Sequence, residues 1–203
     1  MNEIRKHTPD FDIDRIPLDC PEVFSEMSKG DTVGVFQCES AGMTNLIVNM
    51  KPVCFSDIAA AIALYRPGPM YFIDTYILNR KDRSNIRYRT PELAPILDET
   101  NGCMVYQEQV MQVFRSLAGY SYGRADVVRR AMSKKKRDVM ENERNIFVNG
   151  LDGENGNVII EGCVRRGIDA DTANAVFEDM ISFASYGFNK SHTVAYGLIA
   201  YRT

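Results

Sequence analysis

The stretch "YQEQVMQVFRSLAG", residues 106–119, decides the fold class. Val110, Val113, Phe114 and Leu117 follow one another at intervals of three, one and three residues. At 3.6 residues per turn that spacing puts them on one helix face. Gly119 stands where a helix C-terminus needs a left-handed residue. The neighbours continue in kind. "GRADVVRRAMSKKK" (123–136) and "DVMENERNIFVNG" (138–150) read as helices, as do "VIIEGCVRRG" (158–167) and "DADTANAVFEDMISFASYG" (169–187), with Gly167 between the last two. "SHTVAYGLIAYRT" (191–203) reads as a helix with Ser191 as N-cap.

Toward the N-terminus the same reading holds. "SAGMTNLIVNM" (40–50) is a helix capped by Ser40, and "SDIAAAIALY" (56–65) a helix capped by Ser56 and stopped by "RPGP". "TVGVF" (32–36) is the one strand candidate. Residues 1–30 and 79–101 are polar and Pro-punctuated and read as irregular. "LDGENGN" (151–157) reads as a mobile surface loop. The expected fold is mainly α with little short β-structure. Its organisation is a leading segment, 1–30, followed by one helical domain, 31–203, that carries a surface insertion at 150–157. The last residues, "AYGLIAYRT", lie inside a helical pattern with no stop signal, so a fragment of a longer protein is expected.

Composition narrows the chemistry. Of 203 residues, 45% are hydrophobic and 25% charged, average values for a globular chain able to bury a core. The net charge of −3 makes any polyanion site local. Five scattered cysteines without a CxxC fit reduced thiols, and two histidines are too few for a His-rich metal centre. The longest strongly apolar run, "IAAAIAL" (58–64), is too short to cross a membrane, and "MNEIRKHTPDF" lacks a signal-peptide core. A cytoplasmic protein without membrane contact is expected.

Three segments could carry chemistry. In "RRAMSKKKR" (129–137), Arg129, Arg130, Lys134, Lys135, Lys136 and Arg137 are cationic. On one continuous helix Arg130, Lys134 and Arg137 would share a face, a charge density that a polyanion relieves. An ordinary solvated face explains the run as well. In "YGFNKSHTVAY" (186–196), a helix start capped by Ser191 would present free N–H groups beside Asn189, Lys190 and His192, a phosphate cradle. His192 and Tyr196 are i, i+4 neighbours, and Tyr186 and Phe188 offer stacking faces. A tight interhelical turn is the plain alternative. In "LYRPGP" (64–69) a rigid turn holds Arg66. The amides of "VYQEQVMQ" (105–112) could touch a nucleic-acid backbone or simply form a polar helix face. Asp10, Asp12 and Asp14 would share one face of a strand and could bind two metal ions.

Taken together, "GVFQCESAGM", "ALYRPGP", "VYQEQVMQV", "LAGYSYGRADVVRRAMSKKK" and "YGFNKSHTVAYGLIAYRT" resemble, in order, the catalytic alpha subunits of the bacterial C-family replicative DNA polymerases. The resemblance covers residues 15–203 and implies a helical fingers domain within a larger multidomain polymerase. It implies that Mg²⁺ is held by palm carboxylates outside this chain, with no catalytic or metal residue here and no activity from the fragment alone. Asp10, Asp12 and Asp14 then belong to a palm-to-fingers connection. Arg129, Arg130, Lys134, Lys135, Lys136, Lys190, His192 and Arg66 are implied to bind the triphosphate or nearby phosphates, and Phe188, Asn189 and Tyr196 the base or sugar. The implied partners are the incoming dNTP, primer–template DNA and, through the parent chain, other replicative holoenzyme subunits. Tyr122 and Arg124 depart from the family's usual Leu and Gly, and Arg124 puts a positive charge at a helix start, against its dipole. A stand-alone helical nucleic-acid-binding protein is the alternative from another class.

Overall fold

The computed structural model describes residues 2–134, 137–184 and 187–203. Helices dominate: α1 (Asn2–His7), α2 (Pro21–Lys29), α3 (Ala41–Met50), α4 (Phe55–Leu64), α5 (Ile73–Lys81), α6 (Ala94–Leu97), α7 (Gln107–Ala118), α8 (Tyr122–Ser133), α9 (Arg137–Asn149), α10 (Gly162–Arg165), α11 (Ala170–Ala184) and α12 (Lys190–Arg202). A two-stranded antiparallel hairpin, β1 (Leu151–Asp152) and β2 (Val158–Ile160), is the one sheet among the described residues. The mainly α expectation therefore holds. No described helix is long and apolar enough to cross a membrane.

The chain forms two compact units, residues 1–62 with 191–203, and residues 63–190. In the first, Tyr201 organises the packing. Its ring lies 5.6 Å from Phe24 and 6.2 Å from Phe55. Its hydroxyl accepts the Cys20 N–H at 2.9 Å. Gly197 lets two backbones approach: a Cβ there would stand 3.4 Å from the Phe55 ring and 3.6 Å from Ala59 Cα. In the second unit Phe114 is the hub, fully buried, with ring centroids 5.0 Å from Tyr120, 5.3 Å from Phe147 and 6.1 Å from Phe177. Val110, Val113 and Leu117 are equally buried, so the face expected from spacing is the core face. Gly119 ends α7 at φ 77° as expected.

Several local expectations are corrected. Residues 1–30 contain α1 and α2; Pro21 begins α2 and Gly30, at φ 90°, ends it, so the punctuation marked helix ends. "TVGVF" forms turns, not a strand, with Gly34 at φ 81°. The start of 158–167 is strand: Val158 and Ile159 are exposed and Ile160 is buried against the core, and pairing with β1 overrides the apolar run. The 151–157 stretch is accordingly the hairpin's first strand and turn. Ser40 caps α3, accepting the Met43 N–H at 3.3 Å. Ser56 does not cap α4, which begins at Phe55; the Asp57 carboxylate instead accepts from Val53 N and Cys54 N at 2.9 and 3.3 Å.

Candidate functional site

The geometry of the second unit starts from one buried amide. Gln109, 1% exposed, accepts the N–H groups of Val105 and Tyr106 at 2.8 and 2.9 Å. It donates to Ile96 O and Thr100 Oγ1 at 3.1 and 2.7 Å. All four hydrogen-bonding positions of the amide are used, which fixes the approach to α7. Of the amides in "VYQEQVMQ", this one is structural.

Its neighbours reach a segment eighty residues away. Gln107 N–H donates to Phe188 O at 3.0 Å, and Gln107 Nε2 to Gly187 O at 2.5 Å. Glu108 accepts the Lys190 N–H on both carboxylate oxygens, at 3.0 and 3.1 Å, and the Asn189 amide at 2.7 Å. Gly187 is required for this closeness: a Cβ would lie 2.6 Å from Phe183 Cε1 and 3.1 Å from Gln107 Cγ.

This seam gathers the expected site residues. Arg66 stacks its guanidinium 4.5 Å from the Phe188 ring centroid. Arg129 donates to Gln107 Oε1 at 2.9 Å and to Asp126 Oδ1 at 2.8 and 3.1 Å. Arg130 pairs with Asp126 at 2.5 Å. Lys190 Nζ binds both oxygens of Glu99, at 2.7 and 2.8 Å, and lies 5.4 Å from the Tyr106 ring centroid. Hydrogen bonds from Arg129, then Arg130, hold the Asp126 carboxyl below its usual value of 3.8. Arg129, Phe188, Asn189 and Lys190 thus all attach to Tyr106, Gln107 or Glu108, and Arg66 joins them through Phe188.

His192 and Tyr196 belong to the other unit. Their rings stack 4.1 Å apart, as i, i+4 spacing implies, and Phe36 lies 5.3 Å from Tyr196. The expected Ser191 N-cap is corrected: α12 begins at Lys190, and the cap is the Glu108 carboxylate, an anion at the positive end of the helix dipole. The continuous basic helix is corrected too. Lys134, exposed, terminates α8 and α9 begins at Arg137. Lys135, Lys136 and Tyr186 lie outside the described residues.

Arg124 does not suffer at its helix start. Its guanidinium donates to Glu143 at 2.6 Å and lies 5.7 Å from the Tyr120 ring centroid, while Ser121 caps α8. The aspartates near the N-terminus are not on a strand face. Asp12 caps a 3₁₀ turn, Ile13–Arg15, through the Asp14 N–H, and Asp14 pairs with Arg202 at 2.8 Å. No group of three or more His, Cys, Asp or Glu among the described residues is placed to hold a metal ion.

Sequence reasoning missed Glu99, Glu108 and Asp126 and undervalued Gln107. Glu108 carried one signal, an acid in the first turn of a helix, but nothing local says that it reaches Lys190.

A family model described as "Bacterial DNA polymerase III alpha subunit finger domain" matches residues 1–155. The DNA polymerase III subunit alpha of Staphylococcus aureus (strain Mu50) is 46% identical over 191 residues, 94% of this chain and 17% of that protein. The DNA polymerase III subunit alpha of Halalkalibacterium halodurans is 44% identical over 192 residues, 95% of this chain and 16% of that protein. The chain therefore spans about a sixth of the length of these curated relatives.

Proposed function

The chain belongs to the bacterial DNA polymerase III alpha subunit family, as its finger domain, and from that premise we propose that it binds the incoming dNTP for a DNA-directed DNA polymerase that copies the bacterial chromosome. The observation that carries this reading is the seam at Gln107 and Glu108, which ties Arg66, Arg129, Asn189 and Lys190 to one place. Phosphoryl transfer is accelerated by positioned charge around the triphosphate, and a preorganised cation does this without reorganising during the reaction. Lys190 is positioned through its own N–H by Glu108, and Arg129 through Gln107. In this reading both contact the triphosphate. Arg130, Lys134, Lys135 and Lys136 serve the triphosphate or nearby primer–template phosphates. Phe188, braced by Arg66, offers a ring to the base or sugar, with Asn189 beside it. His192 and Tyr196, in the other unit, stack on each other.

Asp12 and Asp14 do not fit a two-metal site, because they are committed to a cap and to Arg202. Mg²⁺ belongs in this reading to palm carboxylates of the parent protein, and this chain alone has no polymerase activity. Other holoenzyme subunits are engaged through the parent chain.

The test is steady-state single-nucleotide incorporation by the full-length alpha subunit. Lys190→Ala and Arg129→Ala are expected to raise the KM for dNTP about 10- to 100-fold, the worth of one charge-assisted hydrogen bond. The increase should be equal for all four dNTPs, because phosphate carries no base identity. An unchanged KM in both variants refutes the assignment.

A further inference from the structure

The cations of this seam are already engaged. Lys190 Nζ sits between both oxygens of Glu99 at 2.7 and 2.8 Å. Arg129 offers Nε and Nη2 to one oxygen of Asp126, and Arg130 Nη2 takes the other. A carboxylate held by two arginines presents oxygens where a phosphate's oxygens would bind. We infer that Glu99 and Asp126 are resident counter-anions standing in for phosphate, so that a polyanion enters the seam by displacing them from Lys190, Arg129 and Arg130.

This inference rests on the reading that the seam takes the triphosphate. The two carboxylates differ from Glu108 in what they hold. Glu108 binds a backbone N–H and an amide, so it fixes the segment whatever occupies the cations. Glu99 and Asp126 hold only side-chain cations in the bonds above, and they can let go without moving the backbone. Release is cheap for Glu99, whose pair is about half exposed, with side-chain exposures of 51% and 42%. Asp126 and Arg129 are more enclosed, at 23% and 18%, so that exchange is the stiffer of the two.

The arrangement sets a charge threshold. Lys190, Arg129 and Arg130 carry three positive charges against the two negative charges of Glu99 and Asp126. A monoanion that displaces one carboxylate exchanges one partner for another and gains little. A triphosphate brings several charges, so an exchange gains more than it gives up. The displaced carboxylates stay attached to the chain and repel the ligand. That repulsion weakens binding of the substrate and of the pyrophosphate it leaves behind. The pairs also hold the cations extended before the ligand arrives, so the ordering cost is met in advance.

Neutral isosteres test this in the full-length alpha subunit. Glu99→Gln and Asp126→Asn keep the shape and remove the charge. Each is expected to lower the KM for dNTP, and the inhibition constant of inorganic tripolyphosphate, roughly two- to fivefold. The double variant should lower both by more than either single variant. Tripolyphosphate has no base, so its response isolates the phosphate contacts from stacking. Glu108→Gln should act in the opposite sense and raise both constants. Thermal melts establish that each variant is folded. If Glu99→Gln and Asp126→Asn raise both constants, the two residues position the cations and the exchange is refuted. If both constants stay within experimental error, the carboxylates do not compete and the exchange is also refuted. If Lys190→Ala and Arg129→Ala leave the KM unchanged, the parent reading fails instead, whatever the isosteres do.

Discussion

Replacing Gln109 with Met tests whether one buried amide holds the approach to the site. Met has nearly the same volume but offers no acceptor for the two N–H groups. Val105 is fully buried and Tyr106 is 4% exposed, so water does not reach their amides. Each orphaned buried donor costs about 1–3 kcal/mol, or roughly 4 kcal/mol for the pair. Thr100 keeps its acceptors, Leu97 O and Cys103 O, and adds little to the penalty, while Ile96 O loses a donor, so the figure is a minimum. The apolar Met side chain returns about 1 kcal/mol in burial. The expected net destabilisation is about 3 kcal/mol. With a urea slope near 2 kcal/mol per molar, the unfolding midpoint should fall by about 1.5 M. Gln112→Met, on the exposed side of α7, is the control and should shift it by no more than about 0.2 M. Amide exchange should locate the damage, with the N–H groups of Val105 and Tyr106 losing protection first. A midpoint shift below about 0.3 M with unchanged exchange at 105 and 106 would refute the reasoning.

Other consequences are equally direct. Gly187→Ala drives a Cβ into the Phe183 ring, 2.6 Å from Cε1, and should cost about 1–3 kcal/mol by overpacking; a melting temperature equal to wild type would show that the segment has room. Burial pushes the thiols of Cys38 and Cys103 up to about 11 and that of Cys163 up to about 12, so an aromatic disulfide reagent at pH 8 should modify Cys54 and Cys20 and spare these three until the chain unfolds. Burial, then the Glu143 charge beside it, raises the Tyr120 phenol above its usual value of 10. Because the folded value is the higher one, that contribution to stability is full below pH 10 and is lost as pH climbs toward the folded value. Tyr120→Phe should therefore flatten the alkaline loss of stability; its neutral-pH cost is about 1–3 kcal/mol, since Arg124 still holds Oε1 of Glu143 but Oε2 loses its donor. An unchanged alkaline slope in the variant would remove Tyr120 from that role.

Periodicity made the core of the second unit legible before any coordinates. Val110, Val113, Phe114 and Leu117 lie on one face by spacing and are all fully buried, because a helix repeats its own geometry every few residues. Gly119 was legible for the same reason, as was Ser40, which bonds an N–H three residues on. The candidate cations stood out as charge density and as motif resemblance. Errors came where a local signal had a competitor. Val158–Ile160 reads as helical until β1 offers a hydrogen-bonding edge. Ser191 reads as a cap until Glu108 supplies a charged one. What the tertiary structure alone decided is which carboxylate meets which cation. Lys190 pairs with Glu99 across ninety-one positions and takes its cap from Glu108 across eighty-two. No periodicity encodes such a distance. It follows from the pairing of Tyr106 with Phe188 at the start of α7 and from the close approach that Gly187 allows, and these exist only once the chain has closed on itself.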